Sequence, residues 1–509
     1  MRKLTMWQLI LLSTGGMIGA GWLFSPFYGY QTAGIGVLLS WVITAFMTLT
    51  IGLSFAEVAT IIPIVGGVSR FIGVTHNKTI SLVFLLLGWL SYIVYLPLEV
   101  QSAMQYLGFW FHNLVTINGE STTLSTYGLI ISLFIIILLT WFNTLFITNV
   151  AKINTLISIW KILIPISIAL ILISLYGTWE NIQLTRIKYV FSLKSILLAI
   201  SGSGLAFAFT GFQNGLILAN MANNPKKSLP YSLFAPIIVG FILYALLSLT
   251  FITCLGNKSL LAGTTAPLLG LLAIFNIHIL FTILFTDAII APFGTANVYT
   301  AVTGRILLGL AQEFMPKSIL TKLNKFSAPA TCLWINAIIG SCFLLPFPTW
   351  TQLVSFLSSV VIFAYLAGPT TLLILRKDFP NIKRDFKLKY YNIIGYLGFI
   401  CCSLLIYWCG MYNLLYLTIS IALIIIIDNL FITKPNNIIK NFISNSFIIL
   451  YLLCFIMIKY FESIHIILFP IDNLCIILLS ILFCKIFIKN KVDKKTIELN
   501  LINHNIKIK

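Results

Sequence analysis

The stretch Ser13-Thr14-Gly15-Gly16-Met17-Ile18-Gly19-Ala20-Gly21-Trp22 sets four glycines among seven residues, in the middle of an apolar run over residues 7–30. Each glycine costs a helix ~1 kcal/mol of propensity, so the run unwinds here unless its neighbours hold it. Unwinding bares backbone N–H and C=O groups that hydrocarbon cannot satisfy. Such a break is tolerated only where it is buried in protein or faces a wet cavity, and there the half-helix ends become polar binding groups. About 190 residues further on, the run 195–219 repeats the device at Gly202-Ser203-Gly204 and at Thr210-Gly211-Phe212-Gln213. Each break falls in the first run of a candidate set of five. Interruptions at matching positions of two halves point to a transporter site near the membrane midplane, whereas membrane glycines otherwise serve close helix packing.

Composition outside these breaks demands a bilayer. Of 509 residues, 59% are apolar and 9% charged, against about 45–50% and about 25% in soluble domains. Mean hydropathy is +1.01. Further apolar runs cover residues 34–62, 80–111, 126–147, 153–176, 231–255, 278–311, 331–347, 351–375, 393–410 and 413–433, with two shorter ones at 444–461 and 471–488. Most are close to the roughly 20 residues needed to cross the hydrocarbon core as a helix. The expected architecture is an all-α polytopic membrane protein of twelve spans, or fourteen if the last two cross. The first run is read as a retained span, because it is too long for a signal peptide.

A formal charge of +19 suggests nucleic acid until the cations are located. With the N-terminus in the cytoplasm, alternate sides take 26 and five of the 32 Lys and Arg, and Lys161 lies within a span. This bias fixes topology, with both termini cytoplasmic and a basic tail over 489–509. No nucleic-acid partner follows from it. The nine cysteines lie in or beside apolar runs, and the five histidines fall in loops, span ends or the tail, so neither a disulfide framework nor a metal site is expected. No cofactor motif or nucleotide-binding glycine loop appears, which argues against direct driving by a nucleotide. A membrane-embedded enzyme lacks the His-rich or paired-carboxylate motif that its chemistry needs.

Ile18-Gly19-Ala20-Gly21-Trp22-Leu23-Phe24 resembles the first-span signature of the amino acid–polyamine–organocation (APC) permeases. Phe55-Ala56-Glu57-Val58-Ala59, with Pro63 and Gly66-Gly67 after it, is similar to the end of their second span. Phe207-Ala208-Phe209-Thr210-Gly211-Phe212 and the following Asn224-Pro225-Lys226-Lys227-Ser228-Leu229-Pro230 resemble their sixth span and its basic loop. Pro97-Leu98-Glu99, Pro292-Phe293-Gly294-Thr295-Ala296-Asn297 and Leu345-Pro346-Phe347-Pro348-Thr349-Trp350 look like a branch that includes aspartate:proton symporters. The resemblance covers about residues 5–410. It implies a LeuT-like 5+5 inverted repeat with discontinuous helices 1 and 6, the first repeat over 1–176 and the second over 195–375. Residues 393–433 would then be spans 11 and 12, and 444–488 an extra pair. It also implies alternating access and cation-coupled uptake or exchange of amino acids.

An amino acid brings a carboxylate and an ammonium. Free N–H groups opening the second half of span one suit the first, and free carbonyls at the break of span six suit the second. By resemblance Gly19, Ala20 and Gly21 take the carboxylate, while Phe207 and Gly211 fall at an aromatic gate and the span-six break. Thr14, Gly15 and Thr210 border the same breaks and complete the candidate substrate-binding set. Phe207 is also an ordinary packing residue in so Phe-rich a chain.

Charges within spans are the second lead, since each is costly unless paired, hydrated or neutralised. Glu57 either faces solvent or caps a loop near the end of span two. Glu99 binds a substrate cation, carries a proton or bonds a neighbouring helix, and Pro97 beside it offers a further backbone break. Lys161, about ten residues into span five, is a proton carrier if buried and inert if it snorkels to the interface. In some APC permeases a lysine here stands where sodium-coupled relatives bind an ion, so the resemblance favours protons. Asp287 pairs with Lys161 if span eight packs on span five. Some exchangers of the family carry an acid where this chain has Gln213, so no proton role is expected there. The expected function is proton-coupled symport of amino acids across the inner membrane, leaning to acidic substrates, with an exchanger or a non-transporting sensor as alternatives. Lys161, Glu99 and Asp287 are the candidate proton-coupling residues.

Overall fold

The structure, a computed structural model, describes residues 4–62, 67–118, 121–145, 150–188, 191–217, 222–255, 261, 264–432, 438–503 and 506. Pro63 and Gly66 lie outside the described residues, as do Arg2, Lys3, Lys258, Lys434, Lys507 and Lys509 of the charge count. Among the described residues, nine helices are long and apolar enough to cross a membrane, and Leu193–Gly202, Ala330–Cys342 and Tyr391–Tyr407 are shorter apolar helices. The chain is an all-α polytopic membrane protein. Among the described residues the paired strands are a small antiparallel hairpin between spans three and four, Val115–Asn118 with Ser121–Leu124, in the connection between the apolar runs 80–111 and 126–147.

The first span is two helices, Met6–Met17 and Gly21–Ala33, parted at Ile18–Ala20. Thr5 and Gln8 cap its start with a reciprocal side-chain box. The sixth span is more dissected. A helix over Leu193–Gly202 stops at Gly204 (φ +77°), one turn follows over Leu205–Ala208, and another over Asn214–Ile217 after Gly211 (φ +101°). Both sequence-marked breaks are therefore real interruptions of the backbone. At Pro97 the outcome differs, because the third span, Lys78–Leu107, runs through it as one helix. Gly340 of the ninth span packs directly on the Ile93 carbonyl and the Pro97 ring, so neighbouring backbone closes over the site of the missing N–H bond.

The second and seventh spans, Val37–Ile61 and Pro225–Leu255, pack on each other, and the seventh also holds the first half of span one. On the other side the eighth, His278–Phe314, lies along the third. The fifth, Val150–Tyr176, touches the first, seventh and eighth. The tenth span, Trp350–Asp378, is central, with its whole apolar window buried, and bends at Leu366 between Trp350–Tyr365 and Ala367–Asp378. Hydroxyls within the spans bond to the carbonyl one turn back, as Thr44 does to Ser40 and Ser358 to Val354, so they need no water.

The C-terminal helices are integral to this bundle. Phe447–Ser463 and Ile471–Lys489 join Tyr391–Tyr407 through Ser403–Tyr451 (2.7 Å) and Tyr407–Asp472 (3.0 Å) bonds. A last helix, Lys494–Asn503, turns back under the turn Ile72–Thr75, where Asn500 donates to the Val74 carbonyl at 3.1 Å.

Candidate functional site

The two breaks meet backbone to backbone. A Cβ added to Gly211 would lie 2.9 Å from the Gly16 carbonyl oxygen and 2.9 Å from the Tyr299 hydroxyl, so only a bare backbone permits this approach. Ser13 accepts the Gly215 N–H at 2.7 Å, and Tyr299 donates to the Gly16 carbonyl at 3.3 Å. Tyr244 from span seven donates to the Ala208 carbonyl at 2.7 Å. Freed backbone groups are thus partly satisfied by a side chain of span one itself and by others from spans seven and eight, the condition for a break within the membrane.

A polar cluster lines the junction. Tyr95 bonds Thr210 and stacks flat on Tyr299, with ring centroids 3.8 Å apart. Tyr92 donates to Asn214 at 2.9 Å, and Tyr365 donates to Gln213 at 2.9 Å. Gln213 also accepts the Gly211 N–H at 3.0 Å. It therefore ties the loop of span six to span ten. Towards the other end of span six, Phe207 lies between Tyr95 (5.7 Å) and Trp350 (5.9 Å), and Phe24 joins Trp350 at 4.7 Å. Aromatic rings therefore lie over the start of the second half of span one, where Gly21 touches Ala208 and Phe207.

Of the four charged candidates, Glu99, Lys161 and Asp287 are brought near the junction. Lys161 is fully buried; its Nζ donates to the Gly15 carbonyl at 3.3 Å and to Thr295 Oγ1 at 2.5 Å. It does not snorkel. Thr295 reaches in turn towards the Ile18 carbonyl at 3.5 Å, so spans one, five and eight are tied at the first break. Glu99 is also fully buried, and its Oε1 accepts the Ala20 N–H at 3.1 Å. Gly19 fits between that carboxylate and Thr295. Asp287 lies two turns before Thr295 on the same helix face and looks onto Lys161 and Trp160. Spans five and eight do pack, but no direct ion pair forms between Asp287 and Lys161. Thr14, the remaining candidate, bonds its own helix at Ile10 (2.9 Å).

Glu57 belongs elsewhere. Arg376 approaches its Oε1 at 2.6 Å and Arg384 at 3.1 Å, while the Leu388 N–H donates to Oε2 at 2.8 Å. Arg384 also ties down the Phe379 and Ile382 carbonyls at 2.7 Å each. Of the two sequence readings, the loop cap is the one found. The residues that sequence reading passed over are Tyr92, Tyr95, Thr295, Tyr299, Tyr244 and Asn214. Helical spacing was the available signal: Tyr92, Tyr95 and Glu99 share one face, as do Asp287, Ala291, Thr295 and Tyr299.

Two interrupted spans joined at a buried polar junction, with a lysine and a carboxylate beside it, define a secondary transporter of the discontinuous-helix kind. The chain matches the amino acid permease family over residues 4–427 and belongs to it. It is 31% identical over 424 residues to the glutamate/serine transporter AimA of Bacillus subtilis (strain 168), covering 80% of this chain and 77% of that protein. The aspartate-proton symporter of the same organism is 30% identical over 417 residues, covering 80% and 79%. The branched-chain amino acid permease BcaP is 24% identical over 424 residues. The protein is an amino acid transporter of the APC superfamily.

Proposed function

We propose that the protein couples inward proton movement to uptake of amino acids, with acidic amino acids as preferred substrates, by alternating access in the cell inner membrane. Both termini face the cytoplasm in this reading, as the bias of Lys and Arg supports. Residues 1–176 and 195–375 act as the two inverted repeats that rock about the junction. The substrate's carboxylate takes the backbone N–H groups around Gly19, Ala20 and Gly21, its ammonium takes carbonyls of the span-six break, and Phe207 closes over it.

One observation carries the proton reading. The Lys161 ammonium fills the gap between the Gly15 carbonyl of span one and Thr295 of span eight. A fixed amine there occupies the place of a bound metal cation, which leaves a proton as the simplest coupling ion at the break. A buried cation also supplies a counter-charge for an acidic substrate. The names of the two relatives at 30–31% identity point the same way.

The test is uptake of radiolabelled L-aspartate, L-glutamate and L-serine by proteoliposomes, with and without an inward proton gradient. Wild type should accumulate L-aspartate or L-glutamate only with the gradient, and Lys161→Ala should lose accumulation. Uptake that needs preloaded amino acid and ignores the gradient would instead make the protein an exchanger.

A further inference from the structure

The second half of span one opens with backbone N–H groups that have no carbonyl of their own helix to bond. One of them, on Ala20, is already taken by the protein itself, through Glu99 Oε1 at 3.1 Å. The other carboxylate oxygen, Oε2, is buried without a hydrogen-bond partner. Gly19 is what lets the carboxylate in, since a Cβ there would collide with Glu99 Oε1. A carboxylate on a side chain of span three is therefore held in the position proposed above for the carboxylate of the substrate.

We infer that Glu99 and the substrate carboxylate compete for the N–H groups around Ala20, and that protonation of Glu99 is what yields the place to the substrate. The inference rests on the substrate site proposed above and names the group that links proton to substrate there. Two carboxylates at one half-helix end repel each other in a low-dielectric site, so an ionised Glu99 and a bound substrate carboxylate exclude one another. A proton taken from the side of higher proton activity neutralises Glu99 and weakens its hold on the Ala20 N–H. The substrate carboxylate then binds, and loss of that proton on the other side lets Glu99 return and expel it. One proton travels with each substrate.

The surroundings suit this exchange. The titratable groups disposed about Glu99 are Lys161 from span five and Tyr244 from span seven. Span eight turns Thr295 towards it, span one only backbone and Gly19, and Asp287 stands beyond Lys161. Lys161 is engaged by Gly15 and Thr295 rather than by an ion pair with Glu99, so Glu99 is free to leave without stranding it.

The experiment is equilibrium binding of radiolabelled L-aspartate, L-glutamate and L-serine to the purified full chain in nanodiscs, from about pH 5 to about pH 9, for wild type and Glu99→Gln. Binding linked to uptake of one proton weakens by about tenfold per pH unit above the titration of Glu99. Wild type should show that slope. Glu99→Gln should bind with a Kd independent of pH, and at high pH at least tenfold more tightly than wild type. Thermal melting of the variant checks that it folds. Should it not, Glu99→Asp, whose shorter side chain withdraws from Ala20, should show the shallower slope instead. A slope kept in a folded variant, or weaker binding at every pH, would overturn the inference while leaving the substrate site standing. Failure of wild type to bind any of the three at any pH would remove the site itself, and the inference with it.

Discussion

Lys161 is held by two acceptors of unequal kind, a backbone carbonyl at Gly15 and the hydroxyl of Thr295. A buried ammonium deprived of a partner is costly, so the hydroxyl is the point at which the arrangement is most easily tested. Thr295→Val keeps the shape and removes the acceptor. Loss of a charge-assisted bond of this type is worth about 1.5–3 kcal/mol, so melting should fall and gradient-driven uptake drop by at least tenfold. Unchanged uptake would mean that Lys161 does not work through Thr295. Lys161 and Glu99 stood out in the sequence because charges inside apolar runs are rare. Thr295, Tyr95 and Tyr299 did not, because Thr and Tyr are common in these spans and only their sharing of a helix face sets them apart.

Each interrupted span was legible from glycine, but glycines within a break differ in what they do. Gly211 has φ +101° and meets the Gly16 carbonyl, whereas a Cβ on Gly202 has nothing within 4 Å. Gly211→Ala should therefore cost about 1–3 kcal/mol through backbone strain alone, with further loss from the clash, and abolish uptake. Gly202→Ala should melt and transport like wild type. Paired thermal melts and uptake rates check both, and equal sensitivity at the two positions would show that the break is set by helix propensity rather than by the approach of span one. Sequence could not rank these glycines, because the distinction lies in which backbone comes close. Pro97 illustrates the same gap from the other side: a sequence signal for a break, overridden by a neighbour that packs over it. The hairpin of Val115–Asn118 with Ser121–Leu124 did have a sequence signal, the Asn118-Gly119 turn dipeptide after the alternating Val115-Thr116-Ile117, which a reading by apolar runs passed over.

The bundle as a whole is fastened away from the junction by Glu57, which gathers Arg376, Arg384 and the Leu388 N–H into one buried knot. Removing one member of such a knot leaves buried charge uncompensated, at about 3–5 kcal/mol. Glu57→Ala should accordingly lower the melting temperature more than any single change at the junction and free the 379–390 loop to proteolysis. A melt within error of wild type would show the knot to be incidental. Hydropathy made the apolar helices and their order legible, since a run that crosses must match the thickness of the hydrocarbon. It could not show that the helices beyond the family match at 427 pack into the same core, a matter of side-chain contacts such as Ser403–Tyr451. The central claim, that a proton accompanies each amino acid through the junction of the two broken spans, is tested most directly inside a sealed vesicle. Proteoliposomes loaded with a pH-sensitive dye and held at equal pH on both sides should acidify when L-aspartate or L-glutamate is added outside, and Lys161→Ala vesicles should not. Uptake of the amino acid with no change in internal pH would contradict the account.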